Sequence, residues 1–511
     1  MSSSAVLSHE DNSVRSALRS PARLRTEVIA GLVVALALIP EAISFSILAG
    51  VDPKVGLFAS FTMAVSIAFL GGRPAMISAA TGAIALVIAP VARDHGLDYL
   101  LATVILGGLL QVAFGLAGTA QLMRLLPRSV MVGFVNALAI LIFLAQLPQL
   151  GLETHGGLHI VGVPWIVFPL VALGLVIMVY LPKVTTAVPA PLVVIVVLSA
   201  LVLAGGIDVP EVSGEGELPR SLPSLLIPDV PFTFETLQII APYAFAMAMV
   251  GLLESLMTAK LVDDITDSHS NKSRESWGQG AANVVTGFFG GMGGCAMVGQ
   301  TMINVKASRA RTRISTFCAG LFLLVLIVGF GDAVGRIPMA ALVAVMVMVS
   351  VGTFDWHSIA PATLRRMPKS ETLVMLTTVV FVVATHNLAI GVSAGVILAF
   401  MLFARRVYHL VGVHRELVEE TDGSAYALYT VTGELFFASS NDLVYLFEYV
   451  DDPERVVIDL ARAHVWDAST VAALDGIETK YERKGKKVEI VGLNEASSHM
   501  HERLTGQLPA H

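Results

Sequence analysis

Charge is scarce in this 511-residue chain: 14% of its residues are Asp, Glu, Lys or Arg, against 55% hydrophobic, and mean hydropathy is +0.74. A soluble globular domain carries about 25% charged residues, so this balance excludes one and points to a polytopic membrane protein. Cysteine is scarcer still. Cys295 and Cys318 both lie inside apolar stretches, which excludes a disulfide framework or a thiolate metal site and leaves small buried residues as the expectation. No phosphate-binding loop of the ATPase type occurs, and no histidines pair at metal-ligand spacing inside the apolar runs, so direct ATP drive is not expected. The first apolar run, Val28 to Gly50, is too long for a signal-peptide core and has no small-residue cleavage pattern, so it should remain as the first span. Nothing suggests an enzyme or a nucleic-acid partner.

What is present is a long series of apolar stretches. They fall at roughly 27–47, 53–70, 76–92, 98–120, 130–150, 163–181, 187–206, 237–259, 276–291, 298–306, 312–331, 338–353, 371–387 and 389–408, fourteen in all, several too short to span alone. With a cytoplasmic N-terminus, fourteen spans would collect about 20 Lys and Arg on the inner side and about 4 (Lys54, Arg93, Arg220 and Arg336) on the outer. The positive-inside rule demands such a bias, and adding or removing one span would scramble it. The acidic, proline-bearing stretch Gly205 to Pro231 then falls outside and divides seven spans from seven. Residues 415–511 are different material: net charge −9, against +2 for residues 1–414, with no 18-residue apolar run and alternating strand-like and helix-like patterns. They read as a small soluble α/β domain. Residues 1–25 are polar and basic, a cytoplasmic tail.

Two of the apolar stretches are broken. Gly287 to Gly299 holds six glycines in thirteen residues and no charge; an earlier break runs from Gly71 to Ala83. In hydrocarbon a broken helix leaves N–H and C=O groups unpaired at several kcal/mol each unless it lines an enclosed or watery cavity. Paired breaks in corresponding positions of two halves are the best sequence pointer to a transporter's binding site. The halves also look related, residues 37–44 resembling residues 251–258; seven spans being odd, the second copy would sit inverted. Helix is expected to resume after Thr81-Gly82 and after Gly299-Gln300. The first N–H groups of a helix lack internal partners and carry about +0.5 elementary charge, so each start is an anion site. Ser78, Thr81, Gly82, Ala83, Gly299, Gln300 and Thr301, together with Glu41 of the first apolar stretch, are the candidate substrate contacts.

Glu41 and Glu254 are the acidic residues placed deep within apolar stretches, Glu41 beside a helix-distorting Pro40 and Glu254 one turn before Thr258. An intramembrane carboxylate costs at least ~2.5 kcal/mol and is kept for a task. A bound anion within ~4 Å of one would be repelled by about 4 kcal/mol at an effective dielectric of ~20, so the site must first be neutralised. A proton on Glu254 or Glu41, or Na+ held by Glu254 and Thr258 with backbone carbonyls, would do so and couple cation to anion; Na+ is the one candidate cofactor or metal.

Ala30 to Ala42, Leu48 to Pro53, Gly56 to Phe61, Glu254 to Ala259 and the segment ending at Asn304 together resemble the sulfate permease (SulP) family, the solute carrier 26 anion transporters, and the likeness covers nearly the whole chain. The resemblance implies an α-helical polytopic membrane protein, fourteen spans in a seven-plus-seven inverted repeat. The repeats cover about 26–206 and 237–408 of a membrane domain ending near 410, and a core domain (spans 1 to 4 and 8 to 11) moves against a gate domain (spans 5 to 7 and 12 to 14). It further implies a homodimer, an anion site between the starts of spans 3 and 10, and the span 8 acid nearby. Many relatives have Gln where this chain has Glu41, and animal members often carry Arg where Gln300 stands; the missing fixed charge favours cation coupling. Residues 415–511 resemble the family's cytoplasmic STAS domain, with strands at 455–460 and 487–493 and a helix over 471–484 capped by Asp467. In bacterial antagonist proteins a phosphorylated Ser follows this Asp. Here Ala468 stands in its place, and a regulatory partner or dimer support is the expected role. The expected function is secondary active transport of a small anion, sulfate or bicarbonate, across the cytoplasmic (inner) membrane in symport with H+ or Na+; a dicarboxylate symporter and an anion channel or exchanger are the alternatives.

Overall fold

The computed structural model describes residues 13–118, 127–153, 159–160, 164–185, 188–385, 387–408, 411–419 and 425–505. The chain forms two compact units, residues 1–396 and 397–511.

The first unit is helical. A short helix α1 (Val14–Arg19) precedes α2 (Pro21–Ala49), which starts inside the polar tail because Pro21 suits a first helical turn, where no N–H is needed. Then come α3 (Pro53–Leu70), α4 (Gly82–His95), α5 (Leu97–Leu116), α6 (Arg128–Leu144), α7 (Val167–Val184) and α8 (Ala190–Gly205). The second half holds α9 (Phe234–Thr266), α10 (Lys272–Phe288), α11 (Val298–Met302), α12 (Arg313–Gly329), α13 (Gly331–Gly335), α14 (Met339–Thr353), α15 (Pro361–Arg366), α16 (Lys369–Thr385) and α17 (Leu388–Tyr408). Setting aside the short α1, α13 and α15, fourteen helices match the fourteen apolar stretches in order. Among the described residues six of them, α2, α3, α5, α6 continued through the turns to Leu150, α7 and α9, are long and apolar enough to cross a bilayer unaided.

The packing repeats itself between halves. Helix α5 lies along α9 and α10, and α12 lies along α2 and α3; α6 packs on α16, and α14 on α7. Exchanging α2 with α9, α3 with α10, α5 with α12, α6 with α14 and α7 with α16 maps each of these contacts onto another, which is the signature of a duplicated unit. Small residues make the approaches possible. A Cβ on Gly108 would lie 2.7 Å from the Gly280 carbonyl oxygen, and one on Gly280 only 2.5 Å from that of Gly108, so α5 and α10 meet backbone to backbone. The stretch between α8 and α9 carries only a one-turn 3-10 segment. It is pinned by Val212 N–H to the Ile337 carbonyl (3.0 Å), Lys54 N–H to that of Glu217 (3.1 Å) and Leu226 N–H to that of Phe288 (2.7 Å).

Among the described residues four two-residue strands interrupt this unit: β1 (Ser78–Ala79), β2 (Leu152–Glu153), β3 (His159–Ile160) and β4 (Cys295–Ala296). The second unit has a four-stranded sheet in the order β5 (Gly412–Glu419), β6 (Ala425–Leu435), β7 (Arg455–Val465), β8 (Lys487–Val491), antiparallel in its first pair and parallel in the rest. Alternate residues Ala427, Tyr429 and Val431 of β6 and Val456, Ile458 and Leu460 of β7 are buried beside Val471, Leu474 and Ile477 of α19 (Ala468–Glu482). Helices α18 (Phe437–Leu443) and α20 (Glu495–Leu504) complete it. Asp467 caps α19 as expected, accepting from Thr470 N–H at 3.1 Å, and the helix starts three residues earlier than its apolar pattern indicates. Strand β7 runs five residues past its expected end because its last residues pair with Thr432–Leu435 across a bulge.

Candidate functional site

Both expected breaks are real, and they are joined to each other. Strands β1 and β4 pair antiparallel, Ser78 with Ala296 and Ala79 with Cys295, so the helices that follow, α4 and α11, leave the junction in opposite directions. Every exposed amide in hydrocarbon must find an acceptor, and side chains supply most of them. Gly72 and Arg73 N–H donate to the Glu275 carboxylate (2.7 and 3.0 Å), Ile77 N–H to Thr301 Oγ1 (3.0 Å), Ala80 N–H to Ser60 Oγ (3.3 Å), Gly294 N–H to Asn283 Oδ1 (2.8 Å) and Ala296 N–H to Ser255 Oγ (3.1 Å). Met297 N–H donates to the Ile77 carbonyl at 2.9 Å.

Helix α4 starts where expected. Thr81 is its N-cap, accepting from Ile84 N–H at 3.4 Å. Helix α11 starts at Val298, two residues earlier than expected, with no side chain capping it. The glycines that suggested a later start serve the strand junction instead: a Cβ on Gly294 would sit 2.0 Å from the Ala79 carbonyl oxygen, so only glycine lets the two breaks touch.

Gln300, on α11, reaches across to α2, its Nε2 donating to Glu41 Oε1 at 2.6 Å; both residues are buried, and Gln300 Oε1 has no partner among the described residues. On the other flank Cys295 donates its S–H to Glu254 Oε2 at 2.9 Å and lies 3.1 Å from Thr81 Oγ1. A thiol has one proton, so with that proton on Glu254 the Thr81 hydroxyl donates to sulfur. The result is a chain of hydrogen bonds from the first turn of α4 through Thr81 and Cys295 to Glu254. Both carboxylates thus meet side chains of the second break, Glu41 at Gln300 and Glu254 at Cys295, and the latter is relayed to the first break through Thr81.

The remaining candidates divide. Gly82 and Ala83 are buried, Gly82 under Phe45 of α2 and Ile142 of α6. Gly299 is exposed, with nothing within 4 Å of where a Cβ would stand. Ser78 and Thr301, expected as donors to a substrate, have other partners. Ser78 Oγ accepts from Gln279 Nε2 at 2.6 Å, and Thr301 Oγ1 is tied to the backbone of Ile77, since residues in the junction are needed to close its own hydrogen bonds. Thr258 donates to the carbonyl of Glu254 at 2.8 Å, the usual back-bond of a helical threonine. No group of three or more His, Cys, Asp or Glu able to hold a metal occurs among the described residues.

Sequence reasoning missed the polar stripe of α10. Glu275, Gln279 and Asn283 recur every four residues, all fully buried, and bind the first break, Ser78 and the second break in turn; Asn283 also donates to Gln111 Oε1 at 2.9 Å. Their i, i+4 spacing was the available signal. Glu275 and Glu27 are acids buried near helix ends, Glu27 accepting from Arg311 and Thr312 N–H at 2.8 and 3.1 Å, and they serve backbone amides.

A family model described as "Sulfate permease family" matches residues 24–378, and one described as "STAS domain" matches residues 417–505. The chain is 53% identical over 474 residues to the protein named "Putative sulfate transporter YbaR" of Bacillus subtilis (strain 168), covering 93% of this chain and 95% of that one. The solved transmembrane domain of a cyanobacterial bicarbonate transporter, BicA, superposes with a TM-score of 0.64 at 26% identity, covering 72% of this chain and 98% of that one. The inward-facing structure of the murine solute carrier 26 family member A9 anion transporter superposes with a TM-score of 0.79 at 17% identity, covering 94% and 87%.

Proposed function

The chain belongs to the sulfate permease family, with a C-terminal STAS domain and the helical transporter fold of its relatives, and from that membership we propose that it is a secondary active transporter of sulfate or bicarbonate, coupled to H+ or Na+. The observation that carries this reading is the β1–β4 junction, which brings two helix starts together with Glu41–Gln300 on one flank and Cys295–Glu254 on the other.

In this reading the anion lies against the amides of Gly82 and Ala83 and of Gly299 and Gln300, where helix ends offer positive potential without a Lys or Arg. Thr81 and the Gln300 amide contribute side-chain contacts, while Ser78 and Thr301 hold the two breaks together. Glu41 and Glu254 must lose their charge before an anion can sit beside them. A proton on either does so, as does Na+ at Glu254 supported by the Thr258 oxygen and backbone carbonyls. Discharging Glu254 weakens it as the acceptor for the Cys295 thiol, because the charge-assisted bond becomes a neutral one, which favours turning that S–H toward Thr81, the cap of α4. Cation binding and the anion cradle are thereby linked through named atoms. The α2–α5 and α9–α12 group then moves against the α6–α8 and α14–α17 group, alternately exposing the site. BicA, named as a bicarbonate transporter, and YbaR, named for sulfate, support an oxyanion substrate. The basic loops support cytoplasmic termini in an inner membrane, and a homodimer and a regulatory ligand for the C-terminal domain complete the proposal; no catalysis is assigned.

The test is uptake of labelled sulfate, bicarbonate and a dicarboxylate into sealed proteoliposomes, with proton and sodium gradients imposed separately. Concentrative uptake of one inorganic anion, driven by one cation and lost in Glu254→Gln, is expected. Uptake indifferent to both gradients, equilibration without concentration, or preference for the dicarboxylate would overturn the reading.

A further inference from the structure

A cavity of about 220 Å³ lies between α2, α4, α6 and α14, lined by Ser44, Arg93, Gln146, Gln149, Met339 and neighbouring apolar residues. Its position follows from helix direction. On α2 it begins at Ser44, one turn beyond Glu41; at the C-terminal end of α6 it meets Ala145 and Gln146, one turn beyond Ile142; and on α4 it meets Arg93, eleven residues or ~16 Å beyond Gly82. Met339, at the start of the oppositely running α14, closes the set. All four helices thus place it on one side of the cradle, the side that the charge bias assigns to the exterior. The contact of Phe45 and Ile142 over Gly82 stands between the two.

The chemistry of the lining is one-sided. Among the described residues Arg93 is its only charged lining residue, and no carboxylate lines it. The Arg93 side chain is exposed, and among the described residues its one hydrogen bond is a long one, Nη2 to the Leu48 carbonyl at 3.5 Å. A guanidinium has five N–H donors in a planar fork suited to oxyanions, so donors remain for a ligand. Two glutamine side chains add amide groups to the same wall. At ~30 Å³ per water in the liquid, the volume admits a small anion that keeps part of its hydration shell.

We propose that this cavity is an entry subsite for the transported oxyanion, with Arg93 as its capture residue, occupied before the Phe45–Gly82–Ile142 contact opens. The inference rests on the anion-transport reading above. Coulomb attraction across ~8 Å of water gives the expected size: losing the charge of Arg93 raises KM about twofold for a monovalent anion and about fivefold for a divalent one at low ionic strength. The effect fades as salt shortens the Debye length from ~30 Å toward ~8 Å.

The experiment is initial-rate uptake of labelled bicarbonate and sulfate by the full chain in oriented proteoliposomes, for wild type, Arg93→Gln, Arg93→Lys and Arg93→Glu. Expected are a KM rise in Arg93→Gln with unchanged kcat, a larger one in Arg93→Glu, recovery in Arg93→Lys, loss of all differences at high salt, and confinement of the effect to anion presented from one face. Unchanged KM in Arg93→Gln, a fall in kcat alone, or equal effects from both faces would overturn the entry subsite while leaving the transport reading in place. Wild-type protein that takes up neither anion would remove both.

Discussion

Two glycines five residues apart, Gly294 and Gly299, should respond to the same methyl group in opposite ways. At Gly294 an added Cβ would stand 2.0 Å from the Ala79 carbonyl oxygen, 2.6 Å from the carbon bearing it and 3.1 Å from Ala80 N, all backbone of the paired strand. Relief requires opening the β1–β4 junction. Overpacking alone costs ~1–3 kcal/mol, and releasing the Gly294 N–H from Asn283 in a buried place adds ~1–3 kcal/mol. At about 2–4 °C per kcal/mol, Gly294→Ala is expected to lower the thermal midpoint by roughly 4–24 °C and to abolish uptake. At Gly299 nothing lies within 4 Å of the new methyl, and φ is not positive, so Ala is accepted and helix propensity even favours it by ~0.5–1 kcal/mol. Its thermal midpoint should hold. If an anion approaches the exposed start of α11, however, the methyl obstructs a charge-assisted bond of ~1.5–3 kcal/mol, and KM rises roughly 10- to 150-fold. The assays are thermal unfolding of the purified protein in detergent and proteoliposome uptake over a substrate series. A Gly299→Ala protein with wild-type KM removes the anion from that helix start, and one as unstable as Gly294→Ala refutes the spatial argument.

Asn283→Ala should expose the Gly294 amide to hydrogen exchange and abolish uptake at normal expression, because one side chain satisfies both polar groups of Gly294; a protected amide there would show that the second break is held by other means. Cys295→Ser keeps a donor to Glu254 and should keep the gradient dependence of uptake, whereas Cys295→Val should weaken it; equal behaviour of the two would exclude the thiol from the coupling chain. In the C-terminal domain, Tyr429 and Tyr481 hydroxyls donate to Asp452 at 2.7 and 2.6 Å, and burial first, then Asp452 and neighbouring tyrosines, push Tyr481 well above the usual phenol range; burial, with Tyr429 beside it, pushes Tyr449 up to about 12. A raised phenol stabilises the fold fully below pH ~10 and loses that contribution as pH climbs through the folded value. Ultraviolet titration should therefore show Tyr449 ionising near pH 12 and Tyr481 later still, with unfolding of the domain; ionisation of every tyrosine in one step near pH 10 would contradict the buried cluster.

How much was legible in the sequence depended on whether the signal was local. Fourteen apolar stretches gave fourteen helices in order, because hydrocarbon forces each backbone to close its own hydrogen bonds. The breaks at residues 71–81 and 289–297 announced themselves through glycine and proline, and Asp467 through its capping position. The start of α11 was misplaced by two residues. Glycine marks both flexible starts and close approaches, and only the neighbouring chain tells which one applies.

The sequence by itself determined that the chain is helical and membrane-embedded, where its helices break, which two acids lie among apolar residues and where the soluble domain begins to differ in charge. Only the tertiary structure decided that Gln300 meets Glu41, that Cys295 stands between Thr81 and Glu254, that α10 carries the polar stripe holding both breaks, and that Ser78 and Thr301 serve the junction. Apart from Asn283 and Gly294, which are 11 residues apart, those partners lie some 40 to 260 residues apart in the chain. Residue type and spacing report the cost of burying a polar group, but which distant atom offsets that cost is fixed when the two inverted halves pack.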